Sequence, residues 1–278
     1  VVALVIAACA GNTEESGSVA TVPPDRVATT PSGTSGTVTR VLDGDSLIVA
    51  IDSEEREIRL IGVNAPEESE CHGDEAKQAL ERLVAAGSLT LVADGEETDQ
   101  YGRLLRYVVV DRRDVNRELL ASGAAVALQS DHTSDAVFAA ISDQAAADGL
   151  GLWAADACGS DAPLPSIVVT DYEYDPAGPD QDSLDEEWIE FANRGPATQD
   201  MAGWILRDES TQHRYLFPPG FTLTSDGRVT VHTGCGVDTA TDLYWCSSGP
   251  VWSNGGDTVI LQLPDGTVVA RTRYSGRY

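Results

Sequence analysis

Three short polar segments interrupt apolar runs in the first half of this 278-residue chain. Asp43-Gly44-Asp45-Ser46 places two carboxylates at a tight turn. Arg59 breaks the run Ile58-Arg59-Leu60-Ile61, which leads into Asn64-Ala65-Pro66-Glu67. Asp99-Gln100-Tyr101-Gly102-Arg103 is the third. Carboxylate, amide and main-chain carbonyl oxygens are the ligands that a hard cation prefers. Guanidinium forks hold oxyanions in a bidentate manner, and a carboxylate beside them can take a proton from water. Each segment also has an ordinary structural reading. Asp-Gly is a common turn, an arginine in a strand often faces solvent, and Tyr-Gly-Arg can be a simple loop.

The elements that must position these residues begin at Gly36. Val38–Leu42 and Leu47–Ile51 are β-rich runs around the Asp-Gly turn, and Glu57–Val63 is a third. Ala76, Leu80, Leu83 and Val84 then recur at helical spacing. Strands are expected at Leu89–Ala93 and Leu104–Val110, and helices around Asp114–Ser122 and Ser134–Ala147. Three strands, a helix, two strands and further helices fit a five-stranded barrel with helices packed on it. After a boundary at 160–165, every further run reads as strand and turn: Ile167–Asp171, Trp188–Ala192, Trp204–Arg207, Val229–His232, Thr258–Leu263 and Val268–Arg273. Short strands at this spacing suggest a β-sandwich over 166–278. Trp188, Trp204 and Trp252 are expected in core or turn packing, and Asp200, Asp208 and Asp257 in solvated turns.

The chain carries 45 acidic and 18 basic residues, a formal charge of -27. Both halves are acidic, which disfavours a nucleic-acid binder built on a basic platform. Lys77 is the single lysine. With the acidity, that suggests a GC-rich genome and either a salty habitat or simply an acidic exported protein. The apolar start, residues 1–9, reads as the end of a signal peptide. Ile6-Ala7-Ala8-Cys9 resembles a bacterial lipobox, which implies a lipid anchor on Cys9, and 10–36 reads as a flexible tether. Export permits disulfides. Four further cysteines allow three pairings, of which pairing within each domain, Cys71 with Cys158 and Cys235 with Cys246, is expected. No cysteine or histidine spacing suits zinc. The histidines at 72, 132, 213 and 232 are expected in loops or on the surface.

Taken together and in order, three stretches change this reading. Val41-Leu42-Asp43-Gly44-Asp45-Ser46, Ile58 through Glu67, and Thr98-Asp99-Gln100-Tyr101-Gly102-Arg103 resemble the staphylococcal nuclease (thermonuclease-like) family over 37–159, with Gly149-Leu150-Gly151-Leu152-Trp153 as its end. The resemblance implies an OB-type barrel and a calcium-dependent phosphodiesterase. It places Asp45, Asn64 and the Ala65 carbonyl at metal-ligand positions, with Asp43 behind them. It makes Glu67 the group that positions or deprotonates the attacking water, and Arg59 and Arg103 the phosphate clamp. Two departures stand out: Asn64 where the family usually has Asp, and Ala-Ala-Val-Ala-Leu-Gln after Gly123, where the best-known member carries nucleotide-contacting tyrosines.

In the second half, Glu187-Trp188-Ile189-Glu190-Phe191-Ala192-Asn193, Ala202 through Asp208 and Val251 through Asp257 resemble the lamin-tail domain, an immunoglobulin-like sandwich. The combined expectation is mainly β: an extracellular, membrane-anchored nuclease acting on DNA or RNA, with an accessory module and no obligate protein partner. The competing expectation is a non-catalytic surface binding or adhesion protein with a degenerate barrel.

Overall fold

The computed structural model describes residues 33–159, 162–210 and 212–276. The lipobox, Cys9 and most of the tether lie outside the described residues. Among the described residues, no helix is long and apolar enough to cross a membrane.

The first domain contains strands β1 (Thr34–Val41), β2 (Ser46–Ile51), β3 (Glu54–Leu60) and β4 (Val63–Asn64), helix α1 (Gly73–Leu83), β5 (Ser88–Val92), β6 (Leu104–Val110), β7 (Arg113–Asp114), α2 (Val115–Ala121), β8 (Val126–Ala127) and α3 (Asp135–Ala147). The main sheet runs β3-β2-β1-β5-β6-β7, and a parallel β3–β6 pairing closes it into a five-stranded barrel. Closure removes the sheet edges. Leu47, Val49, Ile58, Leu60, Leu91 and Val108 fill the interior, and Leu80, Leu119 and Phe138 of the three helices belong to the same core. Helix α1 buries Ala76 and Leu80, as its spacing predicts, and carries Asp74 and Glu75 in its first turn and Arg82 in its last. That charge order favours the helix dipole.

The second domain follows with β9 (Ile167–Glu173), β10 (Trp188–Asn193), β11 (Gln199–Asp200), β12 (Ile205–Arg207), β13 (Arg214–Leu216), β14 (Thr222–Leu223), β15 (Arg228–His232), β16 (Asp242–Tyr244), β17 (Gly256–Gln262) and β18 (Val268–Ser275). Two four-stranded sheets, ordered β16-β15-β10-β9 and β13-β12-β17-β18, pack as a sandwich. Phe191, Trp204, Leu206, Phe217, Trp252 and Leu261 sit in its core. Strand β17 is buried on both faces. Val259 and Leu261 point into the sandwich, while Ile260 joins Val126, Leu152 and Trp153 of the first domain. The period-2 alternation of a strand thus presents one row to each domain.

Cys71 bonds to Cys158 and Cys235 to Cys246. The first bond ties the chain just before α1 to the start of the interdomain connection. Of the histidines expected in loops or on the surface, His132 does lie in a loop but is buried there. It is 9% exposed and packs against Tyr107 and Phe138. Asp208 and Asp257, expected in solvated turns, are buried at 4% and 3% exposure. Asp257 accepts main-chain N–H groups of Ser253 at 3.2 Å and Thr258 at 2.6 Å, and Asp208 accepts from Ser210 and pairs with His213.

Candidate active site

Barrel closure assembles the site. The β2–β3 register sets Ser46 opposite Arg59, and the β3–β6 register sets Leu105 beside Arg59. Arg103 immediately precedes β6, so the seam that closes the barrel also brings the two arginines of the sequence motifs together. Asp43 and Asp45 occupy the turn feeding β2. That turn packs closely on the next segment: a side chain at Gly44 would put its Cβ 2.5 Å from the Ala65 Cβ and 2.7 Å from that of Ala76. A Cβ at Gly73 would meet the Glu67 carbonyl at 2.0 Å. Both glycines allow backbones to approach where no other residue fits.

Arg59 Nη2 lies 3.1 Å from Asp45 Oδ2 and donates to Asn64 Oδ1 at 3.1 Å; Arg59 Nη1 donates to the Val63 carbonyl at 2.5 Å. Asp45 Oδ2 also accepts the Ala65 N–H at 2.7 Å, and its Oδ1 accepts the Ser46 hydroxyl at 2.9 Å. Arg103 Nη1 reaches that same hydroxyl at 3.5 Å. A continuous polar chain therefore runs Arg103, Ser46, Asp45, Arg59, Asn64. Arg103 is aimed by Asp99, which takes its Nε at 2.6 Å and its main-chain N–H at 3.0 Å. Burial pushes the Asp45 carboxyl up to about 6. Asp43 adds to the rise, while the Arg59 guanidinium pulls it down.

Arg59, Asn64, Glu67 and Arg103 all line one cleft of about 980 Å³. Asp45 does not itself line the cleft; it is buried and bonded to Arg59. Glu67 is exposed, and its main-chain N–H donates to Glu70 Oε2 at 3.1 Å. Tyr101, read from the sequence as part of a turn, stands 72% exposed on the cleft, with the Arg103 guanidinium 5.5 Å from its ring centre. Its signal was a bare aromatic between Gln100 and Gly102, in a loop without apolar periodicity.

Asp45, the Asn64 amide oxygen, the Ala65 carbonyl and Asp43 offer oxygen donors only, the chemistry that suits a hard divalent cation. A buried carboxyl lifted by a second carboxylate is also a group that a cation would relieve. Asp43, Asp45 and Asn64 are nonetheless engaged with protein partners, and among the described residues no three His, Cys, Asp or Glu side chains cluster as a metal site. The donor set fits a cation that shares Asp45 with Arg59.

Two family models match the two domains. Residues 57–155 match the family model described as staphylococcal nuclease homologue, and residues 160–276 match the lamin tail domain. An uncharacterized endonuclease of Escherichia coli O157:H7 is 32% identical over 119 residues, covering 42% of this chain and 76% of that protein. The thermonuclease of Staphylococcus hyicus is 35% identical over 94 residues, covering 32% of this chain and 56% of that protein. Endonuclease YncB of Bacillus subtilis is 36% identical over 96 residues, covering 32% of this chain and 46% of that protein. The chain belongs to the staphylococcal nuclease homologue family, with a lamin tail domain following its nuclease-like barrel.

Proposed function

We infer that this protein is a calcium-dependent nuclease that hydrolyses phosphodiester bonds of DNA, RNA or both outside the cell, held to the membrane by a lipid on Cys9. The observation that carries the catalytic reading is the placement of Arg59, Arg103 and Glu67 on one cleft, with Asp45 bonded to Arg59. A phosphodiester is anionic, and attack at phosphorus concentrates further charge on its oxygens. Two guanidinium groups fixed in advance stabilise that charge without reorganising. Asp99 fixes Arg103, while Asp45 and Asn64 fix Arg59. Glu67, exposed on the same cleft, takes the proton of the attacking water. Asp45, Asn64 and the Ala65 carbonyl would hold Ca2+, which when bound supplies Lewis acidity next to the phosphate.

The test incubates the purified full chain with single-stranded DNA, duplex DNA and RNA, in calcium or in chelator, at low and high salt. Cleavage that disappears with chelator and with Glu67→Ala supports the reading. Binding without products, unchanged by Glu67→Ala, supports the competing reading of a non-catalytic binding protein. One observation favours that competitor: Arg59 is already engaged by Asp45, Val63 and Asn64. For the anchor, incorporation of labelled palmitate that is lost in Cys9→Ala is the expected result.

A further inference from the structure

The second domain is docked on the nuclease cleft, not merely appended to it. Val126, Leu152 and Trp153 form one apolar cluster with Ile260, and Val268 packs against it. Arg271 bonds to Asp143 at 2.5 Å and lies 5.1 Å from the Trp153 ring centre. Arg214 pairs with Glu70, whose carboxylate also holds the main-chain N–H of Glu67.

This docking carries the connection between β12 and β13 to the rim of the cleft, where Ser210 and Gln212 line the same space as Arg59, Glu67 and Arg103. Glu209 secures that connection from both ends. Its main-chain carbonyl accepts the Asn64 amide at 2.9 Å, and its carboxyl accepts the Gln129 N–H and, at 3.0 Å, the Thr258 hydroxyl. Glu209 is 5% exposed, so these contacts are shielded from water. The Ser210 hydroxyl donates to Asp208 at 2.7 Å and accepts the Gln212 N–H at 3.2 Å. Gln212 is thereby tied to Ser210 through its own N–H, and its side chain is left exposed.

The chemistry of the rim shows what this wall can add. Glu57, Glu67, Asp94, Glu96, Asp99 and Asp131 line the cleft from the barrel side, against two guanidinium groups. A polyanion is drawn to the arginines and repelled by these carboxylates, while Gln100 and Ser130 are neutral groups on the same side. Nucleotides beyond the reacting diester are therefore met best by neutral partners that both donate and accept hydrogen bonds, and the second domain can add one to those of the barrel side. The Gln212 amide is such a partner.

We propose that the lamin tail domain forms one wall of the substrate cleft, with Gln212 contacting the nucleotide next to the scissile diester and Glu209 as the residue that positions it. The substrate class rests on the nuclease reading above; the wall itself rests on the docking. The wall makes the enzyme select strands over isolated diesters.

The experiment measures kcat and KM of the full chain on a fluorescent single-stranded oligonucleotide and on bis(p-nitrophenyl) phosphate, a diester with no neighbouring nucleotide. For Gln212→Ala, the ratio of kcat/KM between oligonucleotide and small diester falls about tenfold, through KM for the oligonucleotide. Gln212→Asn restores part of it. Glu209→Ala lowers the same ratio, and Glu209→Gln retains it. Should Glu209→Ala not fold, the exposed Gln212 decides. An unchanged ratio in Gln212→Ala, or an equal loss on both substrates, overturns the proposal. If the unmodified chain cleaves neither substrate with any divalent cation, the nuclease reading fails on its own. Fluorescence anisotropy with the same oligonucleotide then decides the wall: weaker binding by Gln212→Ala upholds it, and equal binding removes it.

Discussion

Asn64 donates its amide to the main-chain carbonyl of Glu209 at 2.9 Å, across 145 residues of chain, while its own oxygen accepts from Arg59 at 3.1 Å. One side chain thus joins the two domains and touches Arg59 of the proposed phosphate clamp. Its identity has a physical reason, because an aspartate there would turn a carboxylate oxygen toward the Glu209 carbonyl.

Asn64→Asp therefore separates two effects. In chelator, it lowers the thermal midpoint and speeds hydrogen exchange around 205–214, because a buried carbonyl loses its donor at a cost of about 1–3 kcal/mol. In a calcium titration, the added charge strengthens cation binding. Calorimetry and exchange read the two independently. A midpoint unchanged in chelator contradicts the bridging role.

Glu67→Gln removes the proposed proton acceptor without touching the core. The expected loss in kcat is about 10²–10³-fold, of the order seen when one transition-state group is deleted. Because Glu67 is exposed, its stability change stays within about 0.5 kcal/mol. Arg103→Lys keeps the charge but loses the fork held by Asp99, so activity falls although the electrostatic sum is unchanged. Rapid-quench measurement of product formation, beside thermal melts of the same variants, distinguishes lost chemistry from lost fold.

Acid sensitivity is expected from His132. Burial pushes its imidazole below the ordinary value, although Asp135, Asp94 and Asp131 pull the other way. An unfolded chain with a pKa near 6.5 then binds protons that the folded protein excludes. Stability from this group is complete above about pH 6.5 and declines as pH falls below it. In His132→Leu the Tyr107 hydroxyl keeps its bond to Asp94 at 2.9 Å. The slope of the thermal midpoint between pH 6.5 and 5 is therefore shallower in the variant, and identical slopes would remove His132 as the cause.

The Cys71–Cys158 bond closes a loop of 87 residues that contains α1, the site strand β6 and the helices beneath it. The turn before β18 rests on it as well, since a Cβ at Gly266 would lie 2.8 Å from the Cys71 Cβ. Replacing both cysteines by serine costs about 2–5 kcal/mol. Loss of the Gly266 contact also loosens the docking of the second domain. Denaturant unfolding measures the first effect, and protease sensitivity of the 159–166 connection measures the second.

Much of the fold was legible because its signals are local. Ala76, Leu80 and Val84 specify the buried face of α1 by their spacing alone, and Asp43-Gly44-Asp45 announces the turn between β1 and β2. Strands of two or three residues, such as β11, β13, β14 and β16, went unread, since so few residues show no period. Asp208 and Asp257 looked like turn residues and are buried instead. Each accepts from neighbouring main-chain N–H groups as an ordinary turn residue does, and whether such a turn faces water depends on what packs over it. The unbroken run Thr258-Val259-Ile260-Leu261 was a signal that both faces of β17 are covered. It did not say by what.

By itself, the sequence determined the two architectures, the order of their elements and the residue types at Asp45, Arg59, Glu67 and Arg103. Each of these depends on neighbours within a few residues or on a strand period. Only the tertiary structure decided that the β3–β6 seam brings Arg59 and Arg103 together, that His132 is buried, and that Ser210 and Gln212 of the second domain meet the cleft of the first. Those contacts join residues far apart in the chain. They are selected by the fit of whole surfaces, a property to which no single stretch of sequence carries a period or a motif.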